Sequence, residues 1–284
     1  MSSEINRFTE WIGKTETTHD TIALAPVLGA AATLDDTVTV FGEGSALPPL
    51  WHWFYFLPRA PQSRLSEDGH PQRGPFMPPI ELPRRMFAGA RLRFLKPLII
   101  GKPAERRAAI RDVSAKEGKT GKLAFVTVGY SIVQDGETCI EEQQDIVYRE
   151  PGAPVPAPEA RVLPPAPAGS WSRVITPDPR LLFRFSALTF NAHRIHYDRS
   201  YANGVEGYPG LVVHGPLLAV MLMELVRLNA NRPVAAFSFR AQASVFDLAP
   251  FRVVATPGAD AKIALEAQGP DGKTAMSASA ELVG

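Results

Sequence analysis

From Leu217 to Asn229 the chain reads LLAVMLMELVRLN, thirteen residues with neither glycine nor proline and with apolar side chains on nearly every face. A helix that is apolar all round cannot lie on a surface, so it has to be wrapped by other elements. The wrapping material is strand-like. AAFSFRAQASVF, FRVVAT, AKIALEAQ and AMSASAELV follow the helix, and a weak strand, LLFRFSA, precedes it. Further upstream lie RLRFLKPLII, KLAFVTVGYSIV and CIEEQQDIVY, the last two separated by the turn signal Gln134-Asp135-Gly136. The pattern predicts an α+β chain in which antiparallel sheet packs on a central helix.

Proline supplies the second constraint. Seven of the 27 prolines fall within PGAPVPAPEARVLPPAP, residues 151–167, a composition that favours extended polyproline II. This predicts an N-terminal half over 1–150, a Pro-rich linker over 151–170 and a C-terminal half over 171–284, in keeping with a length of about two domains. The halves also echo each other: FLKPLIIG with a later QDGET is matched by FDLAPFRV with a later GPDGKT. One long buried helix against antiparallel strands is the hotdog arrangement, so the expectation is a double hotdog. In the N-terminal half only Ile22–Leu34, interrupted by Pro26, reads as helix, so that half is expected to carry a degenerate one.

Composition narrows the function. Hydrophobic residues at 45% and charged residues at 21% exclude a disordered chain, and a net charge of +1 argues against nucleic acid or an anionic membrane as partner. There is no run of eighteen apolar residues, and MSSEINRFTEW has no apolar signal core, so the expected compartment is the cytoplasm. A single cysteine, Cys139, excludes an intrachain disulfide and a cysteine-based zinc site, and its strand-like flank predicts a buried, inert thiol. Charge is nonetheless uneven. Arg84 to Lys122 holds twelve Lys or Arg against three acids, whereas Asp135 to Glu150 holds six acids against Arg149. These runs read either as solvated strand faces or as a cationic rim for the phosphates of a nucleotide-bearing substrate.

Chemistry concentrates in FSALTFNAHRIHYDRSYANGVEGYPGLVVHGPLLAVMLMELV. It places Asn191, His193, His196 and Asp198 in one loop, and His214-Gly215-Pro216 at the mouth of the apolar helix. Glycine and then proline at a helix start leave free backbone N–H groups, Gly215 above all, as an anion site beside a candidate base. Such donors stabilise negative charge developing on a thioester oxygen. A zinc site at His193, His196 and Asp198 is not expected, because the segment does not read as a helix presenting both imidazoles on one face. Each residue also has a plainer reading. Asp198 suits a backbone or Arg199 partner, His214 suits capping or packing, and His70, before Pro71, suits a turn.

NAHRIHYDRSYA…GLVVHG resembles the D-x-N-P-x-H-x-D…HG signature of the MaoC-like, R-specific enoyl-CoA hydratases. DGHPQRGPFMPP…LPRRMFAGARLRFLKPL and QQDIVYR are similar to the subgroup of mitochondrial-type hydroxyacyl-thioester dehydratases and bacterial itaconyl-CoA and mesaconyl-C4-CoA hydratases. The resemblance implies a double hotdog that adds water to a 2-enoyl thioester, with no metal and no cofactor beyond the CoA of the substrate. It assigns the family's histidine to His196 and its oxyanion glycine to Gly215. The family's aspartate falls on Asn191, which cannot accept a proton and is left to orient water through its carbonyl; His193 is then a candidate second base. A distal carboxylate on the substrate would suit Arg184 or Arg194 as a fork.

The implied reaction is hydration of itaconyl-CoA or mesaconyl-C4-CoA to citramalyl-CoA. The alternatives are a 3-hydroxyacyl-thioester dehydratase of fatty-acid synthesis, a hotdog thioesterase, and a non-catalytic acyl-CoA-binding or assembly subunit, which Asn191 favours. One site per chain is expected, and a homodimer is compatible with it.

Overall fold

The computed structural model describes residues 7–74, 76–118 and 121–284. Lys119 of the basic stretch, Pro75 and the first six residues of the N-terminal segment lie outside the described residues. Ten strands form one antiparallel sheet: β1 (Thr15–Thr21), β2 (Arg84–Phe94), β3 (Pro103–Gly118), β4 (Gly121–Gln134), β5 (Glu137–Arg149), β6 (Trp171–Ile175), β7 (Val234–Ala241), β8 (Phe251–Pro257), β9 (Lys262–Gln268) and β10 (Thr274–Leu282). Their order is β1-β3-β4-β5-β2-β7-β10-β9-β8-β6. The seam is the β2–β7 pair, in register from Gly89 opposite Arg240 to Arg93 opposite Ala236. Outwards from it, each half runs through its second, fifth, fourth, third and first strand. The duplication faint in the sequence is thus explicit in topology, and the echoed QDGET and GPDGKT are the two fourth-to-fifth hairpins. Both turn through a glycine in the left-handed region, Gly136 at φ 80° and Gly272 at φ 79°.

Among the described residues four α-helices accompany these strands: α1 (Leu24–Leu34), α2 (Pro179–Leu188), α3 (Arg199–Gly204) and α4 (Gly215–Asn229). α1 follows β1 as α2 follows β6, and the two pack together. The LLFRFSA segment is therefore helix, not the expected strand. Asp178 caps it by accepting the Leu181 N–H at 2.9 Å, Pro179 opens the first turn, and Leu182, Phe185 and Ser186 bury one helical face. α4 is the wrapped helix, buried from Leu217 through Val226 against strands of both halves.

The N-terminal half has no such helix among the described residues. In its place the segment between α1 and β2 sends Leu50, Trp51, Phe54, Tyr55 and Phe56 into the core. This is the expected degeneracy, filled by aromatic loop residues. The indole N–H of Trp51 donates to Glu224 Oε1 of α4 at 2.9 Å, and Arg227 donates to the same carboxylate. The buried acid is thereby satisfied, and the halves are joined.

Residues 151–170 contain no helix or strand, yet they are pinned along the C-terminal half. Val155 N–H donates to Gly207 O at 2.8 Å and Arg161 N–H to Pro270 O at 2.9 Å. Part of the basic stretch is paired with acids of neighbouring strands, by Arg91–Asp145 at 2.7 Å, Arg93–Glu141 at 3.2 Å and Lys102–Asp135 at 2.6 Å. That favours the solvated-face reading over a phosphate rim. Cys139 is buried in β5, and burial pushes its thiol pKa up. No helix among the described residues is long and apolar enough to cross a membrane.

Candidate active site

Phe190, at φ 49°, turns the chain out of α2 into the loop that holds the histidines. Asn191 closes that loop locally: its N–H donates to Ser186 O at 2.8 Å and its Oδ1 accepts the His193 N–H at 3.0 Å. The oxygen expected to orient water is engaged in an Asx turn instead. Arg194 and Asp198 are also structural. Asp198 caps α3 by accepting the Tyr201 N–H at 3.0 Å and takes Arg194 Nε and Nη2 at 3.0 and 2.7 Å. Arg194 stacks on Tyr201, 4.1 Å from the ring centroid, and donates to Glu67 O at 3.3 Å. It is therefore not an open fork for a carboxylate, and Arg184 lies on the exposed side of α2.

His196 and the α4 mouth do come together. His196 is buried, and its Nδ1–H donates to Val212 O at 2.7 Å, which leaves Nε2 as the proton acceptor. The His214 ring stacks on it with centroids 3.6 Å apart and planes 19° from parallel. His214 Nε2 is 2.9 Å from Ser186 Oγ, so α2 fixes the ring that holds His196. His214 is thus a packing residue at the N-cap, with no side-chain cap bond. Gly215 follows at once. A Cβ there would meet nothing closer than Phe87 O at 3.8 Å, and the first-turn N–H groups have no intrahelical acceptor. A base and an anion-holding helix end therefore share one site.

The N-terminal half adds His70, which the sequence reading placed in a turn, and Asp68, which it did not single out. His70 packs on His193, centroids 4.0 Å apart, and His193 meets His196 edge to face at 5.4 Å. His70 Nδ1–H donates to Asp68 Oδ2 at 2.9 Å. Asp68 O accepts the Arg194 N–H at 2.8 Å, which docks the turn onto the histidine loop. Ligand atoms of Asp68, His70 and His193 lie within 4.8 Å of one another. However, the carboxylate and the His70 Nδ1–H satisfy each other and the two rings stack, whereas metal ligands converge on a common point. The zinc grouping weighed from sequence does not converge either, since Asp198 faces Arg194 and the α3 cap.

The electrostatics follow from burial. Desolvation, with help from His193 and His70, brings His196 down to about 3 against the Val212 hydrogen bond. His193 falls to about 3 through burial and His70, opposed by Asp68. Burial, then His196, holds His214 well below the ordinary imidazole range. For Asp68 burial acts upward, but the His70 hydrogen bonds and the imidazole charges outweigh it and bring the carboxyl to about 2. At neutral pH His193, His196 and His214 are thus neutral, beside the Asp68 carboxylate.

Residues 50–247 match the family described as hydroxyacyl-thioester dehydratase type 2. The chain is 65% identical to the mesaconyl-C(4)-CoA hydratase of Chloroflexus aurantiacus over 274 residues, 96% of this chain and 97% of that protein. It is 29% identical to the mitochondrial hydroxyacyl-thioester dehydratase type 2 of Schizosaccharomyces pombe over 265 residues, 82% of this chain and 87% of that protein. Among solved structures, HtdX of Mycobacterium tuberculosis superposes with a TM-score of 0.68 at 16% identity, covering 95% of this chain and all 100% of that one. The MaoC-like dehydratase of Phytophthora capsici does so with 0.66 at 15% identity, covering 98% of each chain. These likenesses bear out the double hotdog and the family resemblance: the chain belongs to the hydroxyacyl-thioester dehydratase type 2 family.

Proposed function

We propose that the protein adds water reversibly to the C=C of a short dicarboxylic enoyl-CoA, mesaconyl-C4-CoA or itaconyl-CoA, giving citramalyl-CoA. The observation that carries the reaction type is the His196 tautomer. With Nδ1–H committed to Val212 O, Nε2 can only accept. On mesaconyl-C4-CoA, whose C=C is conjugated with the thioester, His196 takes a proton from water while the oxygen bonds to the β-carbon and the C=C pair moves through the carbonyl carbon to the thioester oxygen. The Gly215 N–H and the α4 dipole hold that enolate. Its collapse returns the pair to the α-carbon, which takes the proton from His196. The 65% identical hydratase supports the substrate class.

A cation for the distal carboxylate is available, though not the one expected. Arg85 of β2 is half-buried, no ion pair engages it among the described residues, and its charge bears on both His193 and Tyr130. The test is a panel of mesaconyl-C4-, itaconyl- and crotonyl-CoA followed by enoyl-thioester absorbance and by free CoA. Faster turnover of the dicarboxylic thioesters without CoA release is expected. Preference for crotonyl-CoA would return the assignment to a fatty-acyl dehydratase. His196→Gln should lower kcat by about 100-fold or more with an unchanged fold.

A further inference from the structure

We propose that Asp68 is the counter-charge of the catalytic imidazole, acting from the N-terminal half through His70 and His193. The inference rests on the hydratase reading and deepens it. The reaction makes His196 positive for the interval between deprotonation of water and protonation of the α-carbon. Burial disfavours that ion, and the groups around His196, namely His193, His214 and His70, offer no negative charge. An ionised carboxylate close by is the ordinary remedy.

Position 191 does not supply one. It holds an amide whose oxygen already accepts the His193 N–H. Asp198 is spent on Arg194 and on the α3 cap. Asp68 remains, within reach of both imidazoles: its Oδ2 holds His70 Nδ1–H at 2.9 Å, and its charge favours the protonated form of His193. The rings then continue to His196, His70 tilted 37° against His193 and His193 edge to face with His196.

The placement is built rather than incidental. Gly69 has φ 90°, and a Cβ there would fall 1.8 Å from Ala192 O, so backbone rests directly on backbone. The Asp68 carbonyl and the Glu67 carbonyl both take hydrogen bonds from Arg194. Asp68 and His70 are therefore positioning residues: Asp68 sets the His70 tautomer, and the pair lowers the energy of a positive charge formed along the ring row. No new step is needed. The proton still passes from water to His196 Nε2 and then to the α-carbon.

The experiment is Asp68→Asn in the full chain, alone and with Asn191→Asp. Asn keeps an acceptor for the His70 N–H while removing the charge and the second oxygen that holds His70 Nδ1–H. Expected is a fall in kcat of about 10- to 100-fold with KM within about threefold, the range of a one- to two-unit loss of ion stabilisation. Adding Asn191→Asp should recover at least about tenfold, since a carboxylate at 191 can accept the same His193 N–H and still carry charge. The proposal is overturned if Asp68→Asn stays within about threefold of the parent, or if the folded double variant is no faster than the single one. Imidazole NMR titration gives a reading independent of turnover. The groups that bear on Asp68 are His70, His193 and Tyr201, with the Arg194 N–H on its carbonyl. Asp68→Asn should lower the His193 midpoint, which the carboxylate now raises, and an unmoved midpoint refutes the coupling even if no thioester is hydrated. If the parent hydrates none of the panel, the hydratase reading fails while the titration still decides the coupling.

Discussion

Gly69 and Gly44 allow the docking of the two halves to be measured by difference. Both hold left-handed backbone, at φ 90° and 84°, so alanine at either position meets the same conformational penalty. That penalty is about 1–2 kcal/mol, partly offset by the stiffer unfolded chain, so the net is about 1 kcal/mol. Around Gly44 a Cβ meets nothing within 4 Å, whereas at Gly69 it meets Ala192 O at 1.8 Å, Ala192 C at 2.7 Å and His193 Cα at 3.3 Å. Those are backbone atoms, so relief requires the 66–70 turn to back away by more than an ångström. That movement strains the packing by about 1–3 kcal/mol and breaks the Arg194 N–H to Asp68 O bond, about 1 kcal/mol more. Gly69→Ala should therefore destabilise by about 3–5 kcal/mol and lower Tm by about 10 °C or more, while Gly44→Ala lowers it by about 3 °C. Because the displaced turn carries Asp68 and His70, kcat/KM should fall by about 100-fold below the melting range, the ordinary effect of misplacing groups by about 1 Å. Calorimetry and hydration rates on the two variants decide it. If Gly69→Ala behaves like Gly44→Ala in both assays, the clamp between the halves is not what holds the site.

Two further outcomes follow from the site. Arg85→Met should raise KM for the dicarboxylic thioesters by about 10- to 100-fold, the worth of one charge-assisted hydrogen bond, and leave crotonyl-CoA within about threefold; equal losses on both substrates would place Arg85 away from the acyl carboxylate. His193 and His196, held near 3, and His214, held well below its usual range, are neutral in the fold but ionise in the unfolded chain near 6.5. The unfolded state binds more protons between those values, so stability is full above about pH 6.5 and falls as pH drops toward about 3. Thermal melts across this window should show that slope, and His214→Gln should flatten it; a Tm independent of pH between 4 and 7 would mean the imidazoles are solvated.

Local rules carried the sequence reading a long way, and they failed where contacts are distant. The α4 helix was legible because Leu217 to Val226 is apolar all round, and the β4–β5 and β9–β10 hairpins because Asp-Gly turns punctuate strands. β3 was missed because PAERRAAIRDVSAKEG alternates alanine with charge, so neither propensity nor a clean apolar period marks it. α2 read as a strand because Leu181, Leu182, Phe183 and Phe185 are apolar neighbours. Its Asp178-Pro179 start, a cap followed by an N1 proline, was the available signal for helix.

Within the site, His196 and Gly215 could be read from one motif, because a loop and a helix mouth adjacent in sequence converge on each other. Asp68 and His70 could not, since their partners lie more than 120 residues away and only the β2–β7 seam and the missing N-terminal helix bring the turn across. The amide at Asn191 was still the clue. An acid–base site that gives up a carboxylate must either work without the charge or draw it from elsewhere in the fold. Among the described residues the first half carries no counterpart of α4, and the segment between α1 and β2 that fills its place also bears Asp68. Asp68 and position 191 should then be coupled: the effect of charge at 191 depends on whether Asp68 is present, and Asn191→Asp should help least in the parent, where a second carboxylate beside Asp68 adds repulsion rather than a missing charge.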